Sequence, residues 1–366
     1  MKKIISRLAI ALVGMFLALS ANAQTSDNPR KIWLVAHACN AHRWLQTALE
    51  DGANGVEIDV DCPKQISPTA TYVDFSVAHD GYVTPEKRAE ENRGIEDPNH
   101  HWVSLQEYLN FKEMDYISIL WLDCKPEKPG QIYHLVKEVH RILEERYGSK
   151  DLVPFSIIYG VYYLPTLENV IGSDYTLKYQ STPLIDWLRD NLWENEGTGL
   201  ACEGVNGGAK QYKTKETLEE LDTFFKSHNF PAGKHFMSAG SGAWFFFFED
   251  EDFLNGLRQA KEWRDQGRYC ARTGFWTAGL EGAGLMFIPN QKDCARSKGT
   301  ECDLILMDGQ SDFFPATGLY PLFSHDAIRN FVNWFLIPNP GNSEYFQNNH
   351  GHYFLAGNRW EDPFYK

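Results

Sequence analysis

Apolar, β-branched runs recur along this chain, and the first of them end in acids and histidines. KIWLVAH (31–37) ends in His37, and GVEIDVD (55–61) carries Glu57 and Asp59. DFSVAHDG (74–81) carries His79, and ISILWLDCK (117–125) carries Asp123 and Lys125. Each run is apolar enough to be a buried strand, and each ends in groups that are costly to bury without partners. Parallel strands that finish this way gather their polar ends at one face, where barrel enzymes carry their chemistry. The pattern points to an enzyme.

Strand-like runs are predicted at 31–37, 55–61, 117–124, 153–161, 198–204, 234–239, 272–278 and 303–308, with a further extended run at 71–79. Between them lie amphipathic stretches at 103–114, 131–148, 182–194, 215–228, 252–266 and 324–336. In the 131–148 stretch, Ile132, Leu135, Val136, Val139, Ile142 and Leu143 mark one helical face. Strand–helix alternation repeated about eight times predicts an α/β fold, a (β/α)8 TIM barrel, in place of a doubly wound sheet. No internal linker divides it, so residues 24–366 are expected to form a single domain. The charged run 85–101 reads as a solvated, mobile loop, or more sharply as a lid. The aromatic run 243–248 reads as a segment packed beneath the barrel's helices.

The N-terminus is set apart. Lys2, Lys3 and Arg7 precede an apolar run that closes in Ala21-Asn22-Ala23, the layout of a secretory signal peptide over residues 1–23. No later stretch is apolar enough to span a bilayer, so a secreted, soluble protein is expected. Thirty-five basic residues against 49 acidic ones leave a net charge of −14. That balance disfavours nucleic acid and suits a cationic ligand. Seven cysteines in an exported chain suggest disulfides. Cys294–Cys302 is the first choice, Cys39 and Cys62 could meet at the barrel mouth, and Cys124 reads as a core residue.

Glu57 and Asp59 stand two apart on a strand, so they share a face with Cα atoms roughly 6–7 Å apart. Asp123, at the end of another strand, supplies a third oxygen donor. An all-carboxylate set suits one Mg2+ ion better than zinc, which favours nitrogen and sulfur. Lys125 shares the face of Asp123 and could hold an anion beside the ion. His37 and His79 add two groups that exchange protons near neutrality. Together these six describe acid–base or nucleophilic chemistry at a phosphorus centre.

The motifs also carry a resemblance. AHACNAHRWLQTALEDGANGVEIDV, VAHDG, ISILWLDCK, IIYGVYY, KEWRDQG, GFWTAG and DLILMDG resemble, in order, the phospholipase D toxins of corynebacteria. Through them the chain resembles the sphingomyelinase D enzymes of the glycerophosphodiester phosphodiesterase-like barrel superfamily. The resemblance implies that His37 and His79 are the catalytic pair and that Glu57, Asp59 and Asp123 bind Mg2+. It implies that Lys125 contacts phosphate and that Trp276 faces the choline end, with Glu203 and Asp308 at less closely matching positions. The sequence departs from the family pattern in having no cysteine between His79 and Asp123 and only a partial tail signature at Trp360–Phe364.

The implied activity is that of a secreted, monomeric, Mg2+-dependent phospholipase D acting at a membrane surface. It would release choline from sphingomyelin or lysophosphatidylcholine and form a cyclic phosphate. The alternative is a periplasmic glycerophosphodiester phosphodiesterase acting on water-soluble headgroups. A non-catalytic binding barrel is a third reading, against which the complete acid–histidine set argues.

Overall fold

The computed structural model describes residues 30–67, 70–126, 128–161, 164–173, 181–201, 223–231, 234–240, 272–278, 304–307 and 353–355, with Gln266 and Ile328. Among these residues the strands are β1 Arg30–Ala36, β2 Gly55–Asp61, β3 Ser76–Val77, β4 Ile119–Cys124 and β5 Ser156–Gly160. They continue with β6 Glu196–Ala201, β7 His235–Gly240, β8 Arg272–Ala278, β9 Leu304–Met307 and β10 Tyr353–Leu355. The helices are α1 His42–Glu50, α2 Pro85–Asn92, α3 Leu105–Leu109, α4 Pro129–Tyr147, α5 Leu164–Glu168 and α6 Leu184–Asn191.

Parallel pairing runs in the order β1-β9-β8-β7-β6-β5-β4-β2. The sheet curls until β1 also meets β2, at Val35 opposite Gly55 and Ala36 opposite Val56. That seam is short, two residue pairs against six between β2 and β4. β3 adds antiparallel to β2, and β10 lies parallel to the start of β1. The fold is therefore α/β on a curled parallel sheet. The complete (β/α)8 barrel is a finer expectation than this. Helices follow the strands in the first half of the chain, whereas those expected at 252–266 and 324–336 fall almost wholly outside the described residues.

Two apolar layers hold the sheet. Its outer face packs against the helices, with Trp44, Leu45 and Ala48 of α1 and the Ile132–Leu143 face of α4 all buried. The helical face read from the sequence is thus the one that is covered. Inside the curl, Trp33, Val35, Ile119, Trp121, Ile158, Phe236, Leu304 and Leu306 form a second cluster. Burying a large aliphatic or aromatic side chain contributes about 1.5–3 kcal/mol, so the interior is a packed plug and not a pore. Gly160 makes room for it, because a Cβ there would stand 2.5 Å from the Trp121 indole nitrogen.

Several expectations need correction. The run at 71–79 is a strand only at Ser76–Val77. The 85–101 run is not simply a loop. Residues 85–92 form α2, whose first turn is capped by the Thr84 hydroxyl accepting from Lys87 N–H, with proline at its start. Such a cap satisfies an amide that the helix leaves open. Cys39 and Cys62 do not pair; both are buried free thiols, and no disulfide forms among the described residues. Burial pushes both thiols up, furthest from the thiolate that disulfide exchange needs. Cys124 is a free core residue, as expected. The Cys294–Cys302 pair, the aromatic run 243–248 and the segment 1–23 lie outside the described residues. No helix among those described is long and apolar enough to cross a membrane.

Candidate active site

The polar face begins where β1 ends. Ala38 turns the chain with φ of 53°, a left-handed conformation that non-glycine residues rarely adopt. The turn aims Ala38 N–H at Glu57 Oε2, 2.6 Å away, while Cys39 N–H reaches the Glu57 carbonyl at 2.9 Å. Asn40 then pairs twice with Asp59. Its Nδ2 donates to Asp59 Oδ2 at 2.7 Å, and its Oδ1 accepts from the Asp59 backbone N–H at 2.9 Å. His37 Nε2 lies 3.8 Å from Glu57 Oε2.

The register brings the remaining groups alongside. Glu57 stands opposite Trp121 and Asp59 opposite Asp123, so both carboxylates of β2 share the inner face with Asp123 of β4. One ligand oxygen from each of Glu57, Asp59 and Asp123 lies within 4.8 Å of the others, and all three residues are buried. Lys125 continues the β4 face, its N–H donating to Val60 O. Its Nζ bridges Asp59 Oδ1 at 2.8 Å and Asp123 Oδ2.

This concentration of charge sets the protonation states. Burial, reinforced by Asp59 and Asp123 and opposed by His37, pushes the Glu57 carboxyl up to about 8. Burial also pushes Asp123 up to about 6, against the pull of Lys125. At Asp59 burial is outweighed by Lys125 and Asn40, which hold the carboxyl below its usual value. Burial at Lys125 is likewise outweighed by its two carboxylates, and its ammonium is held more firmly than usual. Asp123 Oδ1 is buried and accepts no hydrogen bond among the described residues. Three convergent carboxylates, one with an unsatisfied oxygen, make a donor set that a hard divalent cation fits.

His79 follows β3 in a turn. Ala78 N–H donates to Asp59 O at 3.1 Å, which ties the turn to β2, and the His79 charge helps lower the Asp59 carboxyl. The His79 ring is half exposed, with Nδ1 2.8 Å from Asp80 Oδ1. Thus the backbone brings five of the expected residues together (His37, Glu57, Asp59, Asp123 and Lys125), and His79 stands at their edge. Trp276 occupies β8 opposite Gly240; its side chain, like Glu203 and Asp308, lies outside the described residues. Sequence reasoning missed Asn40 and the Ala38 turn. An asparagine three residues beyond a strand-end histidine was the available signal, but its partner is 19 residues away.

No family model matches the chain, and no curated protein matches it. Among solved structures it is similar to a candidate glycerophosphodiester phosphodiesterase from Galdieria sulphuraria, at 14% identity and a TM-score of 0.44 over 84% of this chain and 99% of that one. It is similar to a calcium-dependent phosphoinositol-specific phospholipase C from Pseudomonas sp., at 12% identity and a TM-score of 0.38, covering 77% and 90%. Phosphoribosyl anthranilate isomerase from Thermotoga maritima matches at 11% identity and a TM-score of 0.31, covering 82% and 97%. Likenesses this weak transfer no substrate and no residue role. The narrower assignment is corrected on the other comparisons: no family model and no curated relative stands behind it, so the chain is not assigned to the phospholipase D or sphingomyelinase D enzymes. The choline-lipid activity expected from that resemblance is withdrawn with it.

Proposed function

We propose that this chain is a metal-dependent phosphodiesterase of the glycerophosphodiester kind, exported after removal of residues 1–23, with 24–366 as a single (β/α)8-type domain. The observation that carries this reading is the buried Glu57–Asp59–Asp123 cluster, in which one carboxylate oxygen is unsatisfied and a histidine adjoins another. A structural salt bridge needs neither a third acid nor an orphaned oxygen. The substrate is a water-soluble phosphodiester with an alcohol leaving group, and a monomer suffices.

Glu57, Asp59 and Asp123 would hold the ion, with Mg2+ favoured by the all-oxygen set. The bound ion would supply positive charge to a phosphoryl oxygen. Lys125 balances the negative charge of the site and sits where it can meet the phosphate as well. His37 takes a proton from the attacking water as its oxygen bonds to phosphorus. His79, its Nδ1 oriented by Asp80, gives a proton to the leaving alkoxide as the P–O bond breaks. The products are a phosphomonoester and an alcohol. Trp276 is the proposed wall for the headgroup.

The test is hydrolysis of glycerophosphocholine and glycerophosphoethanolamine by the full chain, followed by phosphorus NMR. Glycerol phosphate should accumulate with Mg2+ and not after chelation, and His37→Ala should lose turnover. Undiminished hydrolysis after exhaustive chelation would refute the reading.

A further inference from the structure

The charged segment after His79 contains a buried clamp outside the cluster described above. Asp74 precedes β3, and Arg88 lies on α2. The guanidinium grips the carboxylate at two points, Nη2 to Oδ1 at 2.7 Å and Nη1 to Oδ2 at 3.0 Å. Tyr82, three residues after His79, donates its hydroxyl to the same Oδ2 at 2.7 Å. Arg88 Nη1 also donates to Val83 O at 2.6 Å, and Val83 N–H donates to Ser76 Oγ at 3.1 Å. The arginine is 7% exposed, so this is not a solvated surface pair.

The clamp closes one end of a very short bridge. Ala78 is fastened to Asp59 O, and Tyr82 and Val83 are fastened to Asp74, Arg88 and Ser76. Only His79, Asp80 and Gly81 lie between these anchors. Gly81 takes φ of 110°, which side-chain-bearing residues avoid, so the bridge turns sharply there. The ring of His79 is half exposed and is carried on this turn. A bidentate arginine–carboxylate pair fixes direction as well as distance.

We propose that Asp74, Arg88 and Tyr82 are positioning residues that hold the His79 turn over the carboxylate cluster. The inference rests on the reading of His79 as the proton donor to the leaving group, and it adds residues that touch neither substrate nor ion. Misplacing a reacting group by about 1 Å can cost about a hundredfold in rate, and the clamp acts at that scale.

The experiment uses the full Mg2+-loaded chain and glycerophosphocholine. Arg88→Gln should lower kcat by about 10–100-fold with KM nearly unchanged, and Arg88→Lys should recover part of the loss. Tyr82→Phe, which removes one hydroxyl and carries the test if Arg88→Gln does not fold, should lower kcat by a smaller factor. In a His79→Ala background neither change should cost anything further. Losses of the same size in that background would overturn the proposal. NMR of the His79 ring separates it from the reading on which it rests: the ring signals should move in both clamp variants, and unmoved signals contradict the clamp. If His79→Ala retains wild-type kcat while the ring signals still move, the clamp stands and the catalytic reading falls.

Discussion

Two groups of buried carboxylates occupy the same sheet, and their surroundings differ. Glu196 begins β6 and is fully buried. Tyr159 donates to its Oε1 at 2.8 Å, and its Oε2 meets His140 Nε2 and the Trp193 N–H, each at 2.7 Å. His140 is itself stacked on Trp193, with ring centroids 3.9 Å apart. Both of its oxygens have partners. In the Glu57–Asp59–Asp123 group three acids converge, one lysine serves two of them, and Asp123 Oδ1 has no hydrogen bond among the described residues. Burial alone therefore does not mark a functional acid. What marks it is a shortage of donors around several carboxylates, which a cation is suited to fill.

The comparison breaks most visibly by substitution. Asp59→Asn should lower turnover by about a thousandfold or more, because charge stabilisation worth several kcal/mol is lost with the ion, with a modest loss of metal-free stability as the contacts to Lys125 and Asn40 weaken. Glu196→Ala should do the reverse. Stripping the acceptor from three donors should cost about 3–5 kcal/mol of stability, with kcat of the folded fraction little altered. Steady-state kinetics and denaturant titration of both variants decide the matter, and equal effects on stability would erase the distinction drawn here.

The acid cluster should also make stability respond to pH. Folded Glu57 and Asp123 hold protons to about 8 and about 6, above their unfolded values. Below the unfolded values the two states bind these protons equally. As pH rises from about 5 to 8 the folded state must give up protons that the unfolded chain has already lost, so stability falls. Chelated protein should melt at progressively lower temperature across that window, and Glu57→Gln should flatten the trend. Saturating Mg2+ should raise the melting temperature most at the alkaline end. A chelated protein that gains stability from pH 5 to 8 through these groups would contradict the assigned directions.

Much of this was legible in the sequence, for physical reasons that particular residues show. Glu57 and Asp59 had to share a face because strand side chains alternate, and the 55–61 run is a strand over that whole length. The α4 face was legible because helical periodicity selects what is covered. Asp74 and Arg88 were not, since residues 14 apart within a charged run give no periodic signal of contact. Helix α2 was not read either, because its charged run carries the composition of a solvated loop. β10 has three residues, too few for a pattern. The lipid assignment failed for a different reason. The most specific motifs behind it, in residues 51–59 and 121–125, build the carboxylate cluster, whereas headgroup choice was assigned to Trp276, whose side chain lies outside the described residues.

A smaller effect sharpens the picture. Asn40→Ala removes both hydrogen bonds to Asp59 while sparing every ligand oxygen. Loss of such an orienting partner should weaken metal affinity by about 10–100-fold, with a modest change in stability. Affinity unchanged in Asn40→Ala would show that Lys125 and the strand alone orient Asp59.

The most direct measurement of the central claim is calorimetric titration of Mg2+ into chelated full-length protein at pH 7, in two buffers of different ionisation heat. One saturable site should appear, with proton release, because Glu57 gives up its proton as the ion binds. Asp123→Asn should abolish it, and Glu196→Gln should leave it intact. Absence of saturable binding by wild-type protein, or full binding by Asp123→Asn, would contradict the account.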